Sequence, residues 1–332
     1  MNVNAMAAFK KGAPLNQFRY GIDELGQYDC IIKVISCGLC HSDIHAIDNF
    51  FPVKYPMVPG HEVIGEVVEI GTGVNHLKIS DIVGVGWQRS ACLQCEDCIN
   101  GNENVCTSAK GVITDGYGGF ADYLVMDSRF CFLLPSGLDR VKAGPLMCGG
   151  ITVYSALKYA GMKSGQRIGV IGAGGLGHLA IQFAAKLGNK VTVFTTSKDK
   201  AEFAINMGAS EVVITKDGSK IETERPLDII ISTVPADLDW GKYVRLLSTD
   251  GTLTFVGLFD KPISIDLFSL LSRRRKITAS PIGGRAAINE MLKIASDFKI
   301  EPIIETFSLK DVNVAIKKVR ENTIRYRAVI IP

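Results

Sequence analysis

The chain has 332 residues, 47% hydrophobic and 21% charged, with a formal net charge of +3. That length suits two domains of ordinary size, and so small and dispersed a charge argues against a nucleic-acid partner. The opening residues lack the apolar core of a secretion signal. No run approaches the ~20 apolar residues of a membrane span, so a soluble, cytoplasmic protein with no membrane partner is expected.

Residues 1–146 read as strand and turn. The β-branched runs 30–35, 63–70 and 81–86 are punctuated by Gly and Asp, as in a small, mostly β domain. Within this stretch Cys92, Cys95, Cys98 and Cys106 place four thiols inside fifteen residues. Four cysteines so close would make strained disulfides, whereas structural zinc takes four protein ligands in a closed tetrahedron. The polar lobe 88–108 is therefore expected to fold around a structural zinc.

From 147 to 279 strands alternate with helices. Strands are expected at 167–171, 190–194, 211–214, 227–231, 252–256 and 276–279, with helices at 175–187 and 198–207. This alternation implies an α/β unit, a six-stranded parallel sheet covered on both faces. The basic run Arg273, Arg274, Arg275 and Lys276 reads as a solvated turn before the last strand. From about 280 the chain returns to extended character, most clearly at 326–331. A discontinuous outer domain, 1–146 with 280–332, is therefore expected around an inserted nucleotide domain, 147–279.

Gly172, Gly174 and Gly177 form a G-x-G-x-x-G between a strand and a helix, with Gly175 and Leu176 inside it. In that setting the first glycine permits a tight turn, the second lets the backbone approach a pyrophosphate, and the third allows close helix–strand packing. The end of the second strand carries Thr195, Thr196 and Ser197, then Lys198 and Lys200. Hydroxyls and ammonium groups there suit a 2′-phosphate, so NADP(H) is expected over NAD(H). Asp199 opposes this and is expected to face solvent. Ser232, Thr233 and Val234 follow the fourth strand and Val256, Gly257 and Leu258 the fifth, where parallel-sheet loops reach a ligand.

Three further segments carry metal-ligating residue types: Gly38-Leu39-Cys40-His41-Ser42-Asp43, Gly60-His61-Glu62 and Met147-Cys148-Gly149-Gly150. With the four-cysteine lobe, the glycine fingerprint, the spacing of Gly60, Gly65, Gly71 and Val74, and Tyr326-Arg327, they resemble the zinc-containing medium-chain alcohol dehydrogenases. The resemblance is strongest to the cinnamyl alcohol dehydrogenase and NADPH-dependent aldehyde reductase branch, and it runs from Cys30 to Ile331.

The resemblance implies a GroES-like catalytic domain joined to a Rossmann domain, two zinc ions per chain and NADP(H). It makes Cys40, His61 and Cys148 catalytic zinc ligands and Glu62 either a fourth ligand or a carboxylate beside the metal. Asp43 would orient His61. Ser42 and His45 match proton-relay positions. Thr152 would lie on the nicotinamide and Arg327 would reach the pyrophosphate. Trp87, Ile47 and Phe50 are expected to line an apolar substrate pocket, with Phe51 nearby. Cys30, Cys37 and Cys131 are assigned no metal, and His76 and His178 no catalytic role.

The expected activity is hydride transfer between NADP(H) and an aldehyde/primary alcohol pair, mainly as aldehyde reduction, by a homodimer. Three alternatives remain: a zinc-free quinone or enoyl reductase of the same fold, a zinc polyol dehydrogenase, and a non-catalytic scaffold. The first lacks the metal ligands seen here. The threonine-rich segment and Trp87 argue against the second, and the intact relay against the third.

Overall fold

The computed structural model describes residues 1–332 except 23, 216–220 and 260; every site residue named above lies among the described ones. These residues form two compact units, Met1–Ile151 with Gly283–Pro332, and Thr152–Ile282. No helix among them is long and apolar enough to cross a membrane.

The first unit is built on a seven-stranded sheet. Its long strand Asp29–Leu39 pairs antiparallel with Glu62–Ile70, with Tyr123–Asp127 and with the C-terminal strand Arg327–Ile331. Ile82–Val85 and Cys131–Leu133 extend it on one side, and Ile304–Ser308 on the other. Two register shifts between Asp29–Leu39 and Glu62–Ile70 mark bulges, which bend and twist the pair. A core including Ile32, Val34, Cys37, Val63, Val67, Val83, Phe120 and Phe130 fills the inside.

Two features of this unit lie outside the expectations. Strands Asn2–Ala7 and Asn16–Gly21 make a separate antiparallel ladder. The returning segment also carries two helices, Arg285–Asp297 and Val312–Arg320. Their buried residues, Ile288, Met291, Leu292 and Ala295 in one and Val312, Ala315, Ile316 and Val319 in the other, recur at helical spacing.

The second unit is the expected α/β sheet. In order along the chain its strands are Arg167–Ile171, Lys190–Thr195, Glu211–Ile214, Leu227–Ser232, Leu247–Phe255 and Lys276–Ala279. All neighbours are parallel. Across the sheet they run third, second, first, fourth, fifth, sixth, which is the Rossmann order. The chain reverses direction of build between the first and fourth strands, so their C-terminal ends flank the switch point where such sheets bind ligands.

Helix Gly177–Lys186 covers one face. It starts two residues after the expected position, since Gly175 and Leu176 complete the turn. Leu179, Ile181 and Phe183 are fully buried on it, each worth about 2 kcal/mol in apolar burial.

The fifth strand begins five residues before the expected start. Asp250-Gly251 reads as a turn, but Asp250 takes φ +62° within the strand, opposite a register shift in its neighbour. The basic run is the expected solvated turn before the last strand, with Arg273, Arg274 and Lys276 exposed and Arg275 partly buried. Arg274 makes two hydrogen bonds to Asp250. The Arg275 guanidinium donates to the carbonyls of Leu247, Ser269 and Arg245.

Candidate metal centres and cofactor loop

Cys40 ends the long Asp29–Leu39 strand and N-caps helix His41–Ile47. His61 and Glu62 enter the neighbouring strand, and Cys148 follows the short helix Gly144–Met147. The ladder pairs Gly38 with Glu62, which draws these distant segments together. Ligand atoms of Cys40, His61, Glu62 and Cys148 all lie within 4.8 Å of one another. The two sulfurs are 4.0 Å apart.

The donor set fits a metal. Zinc–sulfur bonds of about 2.3 Å in a tetrahedron require sulfur–sulfur edges of about 3.8 Å. His61 is fully buried, and its Nε2 has no hydrogen-bond partner. Its Nδ1 lies 2.8 Å from Asp43 Oδ1. A carboxylate that holds Nδ1–H frees the Nε2 lone pair for a metal. Asp43 is itself fixed by the N–H groups of Gly60 and Cys40. Burial alone would lower the His61 imidazole, but the charge and hydrogen bond of Asp43 outweigh it and hold it well above its ordinary value.

The Cys40 thiol is pulled well below its usual range by the hydrogen bond from Cys148, against burial, and Cys148 is raised by the same contact. Burial pushes the Glu62 carboxyl up to about 7, opposed by Arg327.

Arg327 lies among the ligand residues of this unit. It forms a buried ion pair with Glu62 Oε1 inside the ligand group, because strand Arg327–Ile331 runs beside Asp29–Leu39. Glu62 Oε2 and Arg327 Nε remain without hydrogen-bond partners. Gly38 allows this crowding, since a Cβ there would lie 1.9 Å from Glu62 Oε2. Gly38 stands directly opposite Glu62 in the ladder, so its role follows from the strand pairing and not from its place two residues before Cys40.

Ser42 and His45 sit three residues apart on helix His41–Ile47 and so share a face. His45 Nδ1 is buried without a partner. Aromatic rings connect this helix to the ligands. His45 contacts Phe50 at 5.2 Å, Phe50 contacts Phe51 at 5.3 Å, Phe51 contacts Trp87 at 5.3 Å, and Trp87 meets His61 edge-on at 5.1 Å. Trp87 and Phe50 thus belong to one aromatic run, with Phe51 as the link. Ile47 is a correction: it is 2% exposed and part of the hydrophobic core. It follows the inward face of its short helix, beside Ile44. Cys37 lies in the same core, and Cys30 and Cys131 are buried against each other.

The second thiol cluster is tighter. Cys92 Sγ is 3.8 Å from Cys98 and 3.6 Å from Cys106, and Cys95 is 3.8 Å from Cys106. These distances match the edges of a zinc–thiolate tetrahedron and exceed a disulfide bond of about 2 Å. Backbone N–H groups of Gln94 and Cys95 bring the Cys92 thiol down to about 6.

In the second unit the glycine loop stands at the switch point. Gly172 has φ +90°, and a Cβ on it would meet Val234 at 2.4 Å and Thr233 at 3.1 Å. A Cβ at Gly177 would lie 1.9 Å from the Gly172 carbonyl, whereas at Gly174 it would meet nothing within 4 Å. Turn, open approach and close packing therefore fall on the first, third and sixth positions of the loop, with Gly175 and Leu176 completing it. Thr233 Oγ1 donates to the Ile171 carbonyl and Ser232 Oγ to that of Val234. The Val256 N–H donates to Ser232 O, so the loop carrying Gly257 and the half-exposed Leu258 runs beside 232–234.

After the second strand, Thr196, Lys198, Asp199 and Lys200 are exposed and Ser197 is partly so. Thr195 is buried, and its hydroxyl accepts the Ser197 N–H, shaping the turn. Thr152 is 8% exposed on helix Gly149–Tyr159, four residues beyond Cys148.

Known proteins match this chain along nearly its whole length. The family profile Alcohol dehydrogenase GroES-like domain matches residues 26–136, and Zinc-binding dehydrogenase matches 175–297. An aldehyde reductase from Synechocystis is 40% identical over 330 residues, 99% of this chain and 98% of that protein. A solved cinnamyl alcohol dehydrogenase from Sorghum bicolor superposes with a TM-score of 0.93 at 33% identity, over 100% of this chain and 98% of the other. One from Helicobacter pylori, complexed with NADP(H), gives 0.91 at 30% identity, over 100% and 98%.

Proposed function

Since this chain belongs to the zinc-binding alcohol dehydrogenase family, in the branch of cinnamyl alcohol dehydrogenases and aldehyde reductases, we propose the following reaction for it. It is a zinc-dependent oxidoreductase that transfers a hydride between NADP(H) and an aldehyde/primary alcohol pair, mainly as aldehyde reduction with a broad range. The observation that carries this reading is the Cys40–His61–Cys148 set, buried but for the half-buried Cys40, with Glu62 beside it and Asp43 behind His61.

When bound, zinc supplies a Lewis acid for the substrate oxygen and NADP(H) the hydride. The protein's own residues do the rest. Cys40, His61 and Cys148 hold the metal by three ligands, which leaves room for a substrate oxygen. Glu62 balances charge beside them, held by Arg327. Ser42 and His45 move the proton, His45 because imidazole changes protonation near neutral pH. Trp87, Phe51 and Phe50 form an apolar wall. Such a wall separates substrates differing by one methylene by only about 1–3 kcal/mol, which suits a broad range. Cys92, Cys95, Cys98 and Cys106 hold the structural zinc. Gly172, Gly174, Gly175, Leu176 and Gly177 receive the pyrophosphate, and Thr196, Ser197 and Lys200, on the turn shaped by Thr195, receive the 2′-phosphate. Ser232–Val234, 256–258 and Thr152 complete the cofactor's surroundings.

Nine free cysteines suit a reducing, cytoplasmic setting. A homodimer is also part of this reading. Lys276–Ala279 is an edge strand, and Leu267, Phe268 and Leu271 beside it in sequence are 65%, 73% and 67% exposed.

Initial rates with a panel of aldehydes and one polyol, with NADPH against NADH at equal concentration, test the assignment. NADPH-dependent reduction of several aldehydes, abolished by chelation, is the expected result. Preference for NADH overturns the 2′-phosphate reading and keeps the enzyme class. Turnover of the polyol alone overturns the substrate class.

A further inference from the structure

His178 stands in the first turn of helix Gly177–Lys186, fully buried. Its ring Nδ1 lies 3.1 Å from the Gly174 carbonyl oxygen. Its backbone N–H donates to the same oxygen at 3.0 Å. A carbonyl can only accept, so the ring carries its proton on Nδ1. One residue thus grips one carbonyl with two donors.

That carbonyl belongs to the peptide joining Gly174 to Gly175. In a trans peptide the C=O and N–H point in opposite directions. Holding the oxygen on the helix side aims the Gly175 N–H the other way. Neither glycine has a Cβ to restrict its backbone, so a Gly–Gly peptide that is not held rotates readily. A rotated peptide would turn the negative end of its dipole toward a phosphate, where N–H groups are needed.

We infer that His178 is a positioning residue for the dinucleotide: its Nδ1–H locks the Gly174–Gly175 peptide so that the loop presents an N–H, not a carbonyl, to the pyrophosphate. This rests on the reading of residues 172–177 as the cofactor loop. Leucine at 178 fills the space without a donor, whereas asparagine sets an amide N–H near the place of Nδ1–H.

The test is NADPH binding by fluorescence titration for wild type, His178→Leu and His178→Asn, with kcat, KM and zinc content for each. His178→Leu is expected to raise Kd and KM for NADPH about five- to tenfold, the effect of one lost hydrogen bond. Its kcat at saturating NADPH and its zinc content stay within twofold of wild type. His178→Asn recovers most of the affinity. Equal Kd for His178→Leu and wild type overturns the inference while leaving the cofactor reading intact, as does equal weakening by both variants. Failure of the wild type to bind NADPH overturns both. Nitrogen NMR of the wild-type imidazole checks the same point without a substitution: a proton on Nε2 alone overturns it.

Discussion

Asp43 shows how much of the metal centre depends on a residue that touches no metal. Its Oδ1 receives the Gly60 N–H and His61 Nδ1, both at 2.8 Å, and its Oδ2 the Cys40 N–H at 2.9 Å. One carboxylate therefore fixes two of the ligand-bearing segments. Asp43→Asn keeps the size but loses the charge and one acceptor. Partners of this kind are worth about 10- to 100-fold in metal affinity or activity. The expected outcome is a fall of that order in kcat/KM, with zinc lost to a chelator at lower concentration than from wild type. Activity and zinc retention both within twofold of wild type would show that Asp43 is only a core hydrogen-bond acceptor. At this scale the sequence was uneven. The four clustered cysteines declared themselves by spacing, whereas Cys40, His61 and Cys148 span 108 residues and became a set only by resemblance. Arg327 was placed by resemblance too, and its pairing with Glu62 depends on strand neighbours that no local pattern encodes.

Among the elements, helix Arg285–Asp297 starts on a contact from a distant part of the chain. Its N-cap is Gly284, which has no side chain to receive the first N–H groups. Glu103 serves instead, from the turn just before Cys106. Its Oε2 accepts the Arg285 N–H at 3.0 Å and its Oε1 the Arg285 Nε–H at 2.8 Å. Gly284 is needed for the approach, since a Cβ there would lie 2.0 Å from the Gly101 carbonyl. Burial would raise the Glu103 carboxyl, but the hydrogen bonds from Arg285 outweigh it and hold it below its usual value. Its contribution is thus present above the ordinary carboxylate pKa and is lost as pH falls through the lowered one. Glu103→Ala removes a cap and a charged hydrogen bond, about 2 kcal/mol together. Amides 286–289 should then exchange roughly 30-fold faster in hydrogen-exchange mass spectrometry, with helix Gly177–Lys186 unchanged. Unaltered exchange at 286–289 would mean that the cap contributes nothing. Helix Arg285–Asp297 was legible in its apolar spacing, yet the extended character of 326–331 dominated the reading of that region. The bulge at Asp250 was not legible, because an Asp-Gly pair signals a turn whether or not a neighbouring strand holds it in register.

For the whole molecule, the six strands of the second unit were visible as alternating periodicity, but their order across the sheet was not. Every buried parallel strand is a similar apolar run, so order comes from the family and from the glycine loop at the switch point. The edges follow from that order. Lys276–Ala279 closes one side, and Ile277 on it is 39% exposed. An open edge strand with exposed apolar residues invites a second copy to pair there. Leu267, Phe268 and Leu271 lie just ahead of it in sequence, on a helix whose only buried residue is Ser269. Such a surface is costly to leave in water, at roughly 25 cal/mol for each Å² of apolar area. Phe268→Asp puts a charge where the proposed dimer would bury a ring. Sedimentation velocity should then show the wild type as a dimer and the variant as a monomer at micromolar concentration, each retaining its zinc. A monomeric wild type, or a variant as dimeric as wild type, would remove this surface from the assembly and leave the chemistry at Cys40, His61 and Cys148 to be judged on single chains.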